Sequence, residues 1–113
     1  LLNEETAENN FKSFTERVCF IGHSHKPLIF ELSPTEIKLI TEGKLDKNNR
    51  YIINVGSVGQ PRDGNPKLSF GFFDTDTFEY RNVRVEYDIT AASTKIKNEG
   101  LPLHLAERLF KGL

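Results

Sequence analysis

Short apolar runs separated by turn-forming residues fill the first two thirds of the chain, which is the pattern of β-strands. We predict strands at residues 18–21, 28–32, 37–40, 51–55 and 68–73. The runs at 51–55 and 68–73 are largely apolar at both alternate positions, which is typical of strands covered on both faces. The strand at 51–55 is therefore expected to be central in its sheet.

The apolar positions change phase between residues 78 and 87. Phe78 and Tyr80 alternate with polar residues, whereas Val83, Val85 and Tyr87 alternate in the opposite phase. We therefore predict one strand with a β-bulge near residues 81–82.

Three segments carry helical patterns. Residues 3–14 are mostly polar helix formers, and a second helix is predicted from about residue 90 to 98, with Gly100 as its stop signal. A third helix is predicted to begin at Pro102. Its expected apolar face is formed by Leu101, Leu105, Ala106, Leu109 and Phe110. The whole pattern predicts an α/β chain, α+β by element order, without a linker that divides it.

Composition narrows the class of protein. The 113 residues carry 15 Lys and Arg against 16 Asp and Glu, so the net charge of −1 excludes an overall basic nucleic-acid binder. A single cysteine excludes a disulfide framework, and no apolar run approaches the roughly 18 residues of a membrane span. Because the N-terminus is acidic, unlike a signal or transit peptide, we expect a cytoplasmic protein. The chain contains no methionine, so we expect either that its N-terminus was processed or that it is part of a longer protein.

The strongest chemical signal is Gly22-His23-Ser24-His25, directly after a buried strand. Two histidines at i and i+2 project to the same side if the chain is extended, and imidazole is the commonest neutral metal ligand. Two ligands are an incomplete set, because a catalytic zinc site has three and a structural one has four. A pair of ordinary loop histidines is the alternative.

A second signal is the loop at residues 56–66, which contains three Gly and two Pro. Successive backbone N–H groups in such a loop form anion-binding nests, and Arg62 is suited to pair with a phosphate. The alternative is a surface loop with Arg62 in solvent. Asn54, the one polar residue of the strand before it, either has a structural role or faces a site.

Three further groups are weaker candidates. His104 and Glu107 share the polar face of the third helix and are expected in solvent. Asp74 and Asp76 belong to a predicted turn. Cys19 lies in an apolar strand and is expected to be a small buried hydrophobe.

Together, Cys-Phe-Ile-Gly-His-Ser-His-Lys-Pro at residues 19–27 and the segment 51–64 resemble the calcineurin-like metallophosphoesterases, in particular the small bacterial phosphodiesterase and diadenosine-tetraphosphatase-like branch. The resemblance implies a four-layer α-β-β-α sandwich with two metal ions, His23 on the second ion and His25 on the first. It implies phosphoester hydrolysis, by a phosphodiesterase or phosphatase, through a metal-bound hydroxide clamped between the ions. Manganese is the expected metal, with Zn, Fe, Ni or Co as alternatives.

The same resemblance implies that residues 1–113 are the C-terminal half of one such domain. The family motifs Asp-x-His, Gly-Asp-x-x-Asp and Gly-Asn-His-Asp/Glu do not occur in the sequence. We therefore expect no catalytic residue in this chain, inactivity of the chain alone, and an N-terminal half of the same protein as its partner. Arg62, Asn54 and Ser57 are the candidate substrate-binding residues.

Other expectations concern partners. We expect the protein to bind a phosphoester substrate, and we expect neither membrane association nor specific nucleic-acid binding. Formation of a homo-oligomer is left open. We expect the isolated chain to be poorly stable or oligomeric, since two short helices do not cover its two-sided strands. The alternative function is a metal-poor protein-interaction scaffold of the same fold.

Overall fold

The computed structural model describes residues 3–40 and 42–113. The helices are α1 (Glu4–Phe11), α2 (Ile89–Asn98) and α3 (Leu103–Glu107), and a 3₁₀ turn follows at Arg108–Phe110. The strands are β1 (Val18–Ile21), β2 (Leu28–Leu32), β3 (Ile37–Ile40), β4 (Gly43–Lys44), β5 (Arg50–Asn54), β6 (Leu68–Asp74) and β7 (Glu79–Val85). The mixed α+β class with two sheets is as predicted.

The first sheet has the strand order β1-β5-β2-β3. β1 and β5 are parallel, with Ile21 opposite Asn54, whereas β5-β2 and β2-β3 are antiparallel. β5 is an inner strand, as predicted. Because parallel strands end at the same edge of a sheet, the loops that follow β1 and β5 lie side by side, and these loops carry the two candidate motifs.

The second sheet, with the order β4-β7-β6, is antiparallel and packs on the first. The core between the sheets joins Ile29, Tyr51 and Ile53 of the first sheet to Tyr80 of the second and to Phe78 in the turn between β6 and β7. All five side chains are at most 7% exposed. Burial of one such side chain contributes on the order of 1.5–3 kcal/mol.

Helix α1 covers the opposite face of the first sheet. Its buried residues Ala7 and Phe11 pack against Phe30 and Ile52. The guanidinium of Arg50 holds the end of the helix, because it donates hydrogen bonds to the carbonyls of residues 11, 14 and 16. Among the described residues, β5 is thus covered by α1 on one face and by the second sheet on the other, and not by the two C-terminal helices. The expected poor stability of the isolated chain stays a prediction.

Two predictions for the second sheet are wrong. Phe72 is 56% exposed on the outer face of β6, beside the guanidinium of Arg81, so β6 is not buried on both faces. β6 and β7 pair without a bulge, in unbroken register from Leu68 opposite Val85 to Asp74 opposite Glu79. The apparent phase change arises because the inward positions of β7 become polar along the strand. They are Tyr80, Asn82 and Arg84.

The C-terminal helices pack mainly against each other. Asp88 caps α2 by accepting the N–H of Ala91 at 2.9 Å, and Gly100, with a φ of +72°, follows the helix as predicted. α3 begins one residue later than predicted, with Pro102 as its N-cap.

The predicted apolar face of α3 is only partly buried. Ala106 and Leu109 are buried, whereas Leu101 and Phe110 are about half exposed. Within the described residues, no helix is long and apolar enough to span a membrane.

Candidate functional site

The loop that carries both histidines is a tight turn. The N–H of Ser24 donates to the carbonyl of Gly22 at 3.0 Å, and His23 and His25 have φ angles of +76° and +60°. The chain is therefore not extended here, and the condition under which both imidazoles would project to one side is not met. Non-glycine residues in this left-handed region are destabilised by about 1–2 kcal/mol each and are concentrated at functional sites.

Asn54 connects the histidine loop to the glycine-rich loop. Its side-chain amide nitrogen donates to the Gly22 carbonyl at 2.9 Å and to the Ser24 hydroxyl at 2.7 Å. Its Oδ1 accepts the N–H of Gly56 at 2.9 Å. The residue is 1% exposed, and both of its N–H groups are engaged by the protein itself. Asn54 therefore lies at the candidate site and acts there as a structural connection.

His25 is held from two sides by the glycine-rich loop. Its Nδ1 lies 2.8 Å from the Gln60 carbonyl oxygen, and the N–H of Arg62 donates to the His25 carbonyl at 3.0 Å. A carbonyl oxygen only accepts, so this contact requires the proton on Nδ1. The lone pair of Nε2 is then left for a metal ion, and histidine ligands usually donate their other ring N–H to a carbonyl or carboxylate in this way.

The glycine-rich loop begins where only glycine fits. Gly56 has a φ of +81°, and a Cβ atom there would lie 2.5 Å from the Ser69 hydroxyl oxygen. The N–H of Ser69 donates to the Ser57 carbonyl at 2.9 Å, and the Ser57 hydroxyl accepts the N–H of Gln60 at 2.8 Å. The Ser57 hydroxyl is thus a cap within the loop.

Arg62 is half-buried beside the His25 backbone. Its Nη2 donates to the Gln60 side-chain oxygen at 2.7 Å, whereas its buried Nε has no hydrogen-bond partner among the described residues. A guanidinium N–H without a partner is a donor that an anion can still engage.

The next residue, Asp63, pairs with Arg84 of β7, with oxygen–nitrogen distances of 2.6 and 3.0 Å. Partial burial by itself raises the pKa of Asp63, but the hydrogen bonds and charge of Arg84 outweigh it and hold the pKa below its ordinary value of 3.8. The sequence did not single out Asp63, Arg84 or Gln60. No sequence signal pointed to Arg84, because its inward position follows only from the unbroken pairing of β6 with β7.

The structure thus gathers His23, His25, Asn54, Ser57 and Arg62 at one edge of the first sheet. A cavity of about 540 Å³ lies beside exposed His23 and reaches Thr6 and Asn10 of α1. Across residues 3–40 and 42–113, no group of three His, Cys, Asp or Glu side chains converges to hold a metal ion. Two imidazoles fit a divalent transition metal chemically, but as an incomplete set.

The weaker candidates lie elsewhere. His104 and Glu107 are exposed on α3, as predicted. Asp74 accepts the N–H groups of residues 76 and 77, so it belongs to the predicted turn. Cys19 is half-buried, whereas a small buried hydrophobe was predicted.

Comparisons with known proteins place this arrangement in context. No protein-family model matches the chain. An uncharacterized protein of Methanocaldococcus jannaschii is 52% identical over 95 residues, which cover 82% of this chain and 38% of that protein.

Solved structures are also similar. A metallophosphoesterase from Sphaerobacter thermophilus matches with a TM-score of 0.86 and 39% identity, over 100% of this chain and 49% of its own. A hypothetical protein from Pyrococcus horikoshii matches in fold, with a TM-score of 0.63 and 20% identity, over 96% of this chain and 36% of its own. The chain spans less than half the length of each of these relatives. It has a metallophosphoesterase-like fold, as its Gly-His-Ser-His and glycine-rich segments predicted.

Proposed function

We propose that this chain is the C-terminal half of a metal-dependent phosphoester hydrolase and contributes two metal ligands to its centre. The observation that carries the proposal is the contact between Nδ1 of His25 and the Gln60 carbonyl, at 2.8 Å. This contact fixes the tautomer of His25 that leaves Nε2 free to coordinate a metal ion. The fold around it is metallophosphoesterase-like.

The two histidines have different surroundings, which suits ligands of two different ions. His25 is half-buried and fixed by Gln60 and Arg62, whereas His23 is exposed at the centre of the turn. We assign His25 to the first ion and His23 to the second. When bound, two divalent ions supply Lewis-acid activation of water and stabilise charge on the phosphoryl group. Mn²⁺ is the metal we propose, with Zn, Fe, Ni and Co as alternatives.

Arg62 is the residue that we propose for binding phosphate. Its Nε–H has no hydrogen-bond partner in the described part of the chain and lies in the same loop whose backbone fixes His25. An arginine held in this way approaches a phosphate with its geometry already set, which favours binding. Asn54 and Ser57 contribute by shaping the loops that would surround the substrate.

The remaining ligands are proposed to come from an N-terminal half of the same protein. β1 is an edge strand of the described first sheet, and Phe20 on it is 48% exposed. A further parallel strand pairing with β1 would cover Phe20 and bring its carboxyl end to the edge where His23 and His25 lie. The Sphaerobacter enzyme has about twice the length of this chain, which leaves room for such strands.

The test is hydrolysis of bis(p-nitrophenyl) phosphate by the full-length protein, with and without Mn²⁺. His25→Ala and His23→Ala are each expected to lower kcat/KM by more than the roughly 10–100-fold that loss of a group hydrogen-bonded to a metal ligand causes. His104→Ala, on the exposed face of α3, is the matched control and retains the wild-type rate. Wild-type rates in either loop variant would overturn the assignment.

A metal-poor interaction scaffold is the alternative function. It is favoured by the apolar side chains of the C-terminal region, which are between 49% and 56% exposed. They are Leu101, Leu103, Phe110 and Leu113. Calorimetry separates the two functions, since the hydrolase binds Mn²⁺ or Zn²⁺ and the scaffold binds neither.

A further inference from the structure

Arg84 reaches the glycine-rich loop from the second sheet. Its guanidinium binds both carboxylate oxygens of Asp63, and its Nη2 also donates to the carbonyls of Asn65 and Lys67 at 2.9 and 2.8 Å. The side chains of Arg84 and Asp63 are 18% and 28% exposed. A bidentate pair with this degree of burial is more strongly oriented than an ordinary surface ion pair.

The C-terminal turn holds the same segment of the loop. The N–H of Gly64 donates to the Gly112 carbonyl at 2.9 Å. Gly112 has a φ of +66°, and a Cβ atom there would lie 2.7 Å from the backbone of Asn65. Residues 63–67 are therefore fixed by β7 on one side and by the chain end on the other.

This fixed segment leads directly to His25. Asp63 follows Arg62, whose N–H donates to the His25 carbonyl, and buried Pro61 separates Arg62 from Gln60. Proline restricts the backbone, so a displacement at residue 63 is transmitted to the Gln60 carbonyl. Among the described residues, that carbonyl is the hydrogen-bond partner of Nδ1 of His25.

We propose that Arg84, through its bidentate pair with Asp63, is a positioning residue for His25. It fixes the glycine-rich loop so that the Gln60 carbonyl keeps the His25 proton on Nδ1 and leaves Nε2 free. Arg84 touches neither substrate nor metal in this role. The consequence for metal binding rests on the proposed function, whereas the effect on the His25 tautomer does not.

The experiment is ¹⁵N NMR of the imidazole nitrogens in the metal-free full-length protein, at about pH 8, where unperturbed imidazole is neutral. In the wild type, the His25 signals are expected to show a protonated Nδ1 and an unprotonated Nε2. In Arg84→Met, they are expected to shift toward the averaged values of an unrestrained ring. His104 serves as the internal reference, because it is exposed on α3.

Arg81→Met is the matched control. It removes an arginine from the same strand, but from the outer face beside Phe72, so the His25 signals are expected to stay as in the wild type. Unchanged His25 signals in Arg84→Met, in a protein that remains folded, would overturn the proposal. If Arg84→Met does not fold, Asp63→Asn takes its place in the comparison of His25 signals with the wild type. This variant keeps the hydrogen bonds of Arg84 to the carbonyls of Asn65 and Lys67.

A Mn²⁺ titration of the same variants separates this proposal from the proposed function. Arg84→Met is expected to weaken Mn²⁺ binding about tenfold, the low end of the range for residues that orient a metal ligand. If the wild type binds no Mn²⁺ but the tautomer shift occurs, the metal assignment fails and the positioning role stands. If Mn²⁺ binds and neither the tautomer nor the affinity changes, the positioning role fails alone.

Discussion

The side-chain amide of Asn54 lies 2.7 Å from the Ser24 hydroxyl oxygen, so the residue at the end of β5 holds the turn between the two histidines. The same side chain bonds to Gly22 and Gly56. One buried amide therefore determines the relative position of the two loops that form the candidate site.

Replacing this amide is expected to be costly. Asn54→Ala removes three hydrogen bonds at a site that is 1% exposed and leaves the Gly56 N–H without its acceptor. An unsatisfied buried group costs about 1–3 kcal/mol, so we expect unfolding free energy to fall by about 2–4 kcal/mol. Urea denaturation measures the change. Exposed Asn48→Ala is the control, and an equal loss in both variants would contradict the role given to Asn54.

The buried hydroxyl of Tyr51 is expected to make stability depend on alkaline pH. It donates to Glu31 at 2.6 Å, and burial, together with this carboxylate, raises its pKa from 10.0 to about 12. Because the folded pKa is the higher one, the stabilisation is complete below about pH 10 and is lost as pH rises toward 12.

The raised pKa of Tyr51 also sets how much stability is lost and how the loss is measured. A pKa difference of two units between the folded and unfolded protein corresponds to roughly 2–3 kcal/mol of unfolding free energy. Tyr51→Phe removes this dependence, so the difference in unfolding free energy between wild type and variant is expected to shrink between about pH 10 and 12. A difference that stays constant across this range would show that the hydroxyl does not titrate as described. Tyr80 and Tyr87 are present in both proteins and cancel in the comparison.

The sequence was informative where the signal is local. The apolar runs before Gly22 and Gly56 predicted β1 and β5, and the structure shows that these two strands pair in parallel. The two motifs also met at one edge, because parallel strands bring their following loops together.

The features that sequence did not predict depend on distant contacts. A bulge and an inner face that turns polar produce the same phase change, and only the pairing of β6 with β7 distinguishes them. The His25 tautomer depends on the carbonyl of Gln60, and any residue type supplies a carbonyl. The left-handed φ of His23 likewise has no signature in residue type, since glycine is what such angles usually require.

The Asp63–Arg84 pair is expected to contribute stability in neutral solution and to lose it in acid. Arg84 holds the pKa of Asp63 below 3.8 against the opposing effect of burial, so the carboxylate is charged in the folded protein. A lowered folded pKa means that the contribution is present above the unfolded pKa and disappears as pH falls through the folded one.

Asp63→Asn tests this dependence. We expect the variant to be less stable than the wild type by about 1 kcal/mol at pH 7, since the pair is partly exposed. Below pH 3.8 the difference is expected to vanish progressively. Thermal denaturation across this range measures it, with Asp76→Asn, in the exposed turn, as the control. If the variant stays less stable than the wild type in strong acid, its lower stability does not come from loss of the Asp63 charge.

Gly56 and Gly59 lie in the same loop, but only the first is expected to resist substitution. Gly56 has a φ of +81°, and its Cβ would meet the Ser69 side chain at 2.5 Å, whereas nothing lies within 4 Å of a Cβ at Gly59. Gly56→Ala must therefore displace Ser69, whose hydroxyl donates to Val55 and accepts from Asn82. We expect a loss of about 2–4 kcal/mol in unfolding free energy, from backbone strain and the broken contacts together.

The same substitution is expected to disturb the site. Movement of residue 56 breaks its bond to Asn54 and displaces Ser57, whose hydroxyl caps Gln60. Hydrolysis by Gly56→Ala should therefore fall along with stability, whereas Gly59→Ala should retain the wild-type denaturation midpoint and rate. Equal behaviour of the two alanine variants would mean that the glycine-rich loop tolerates rearrangement and does not hold His25 through its backbone.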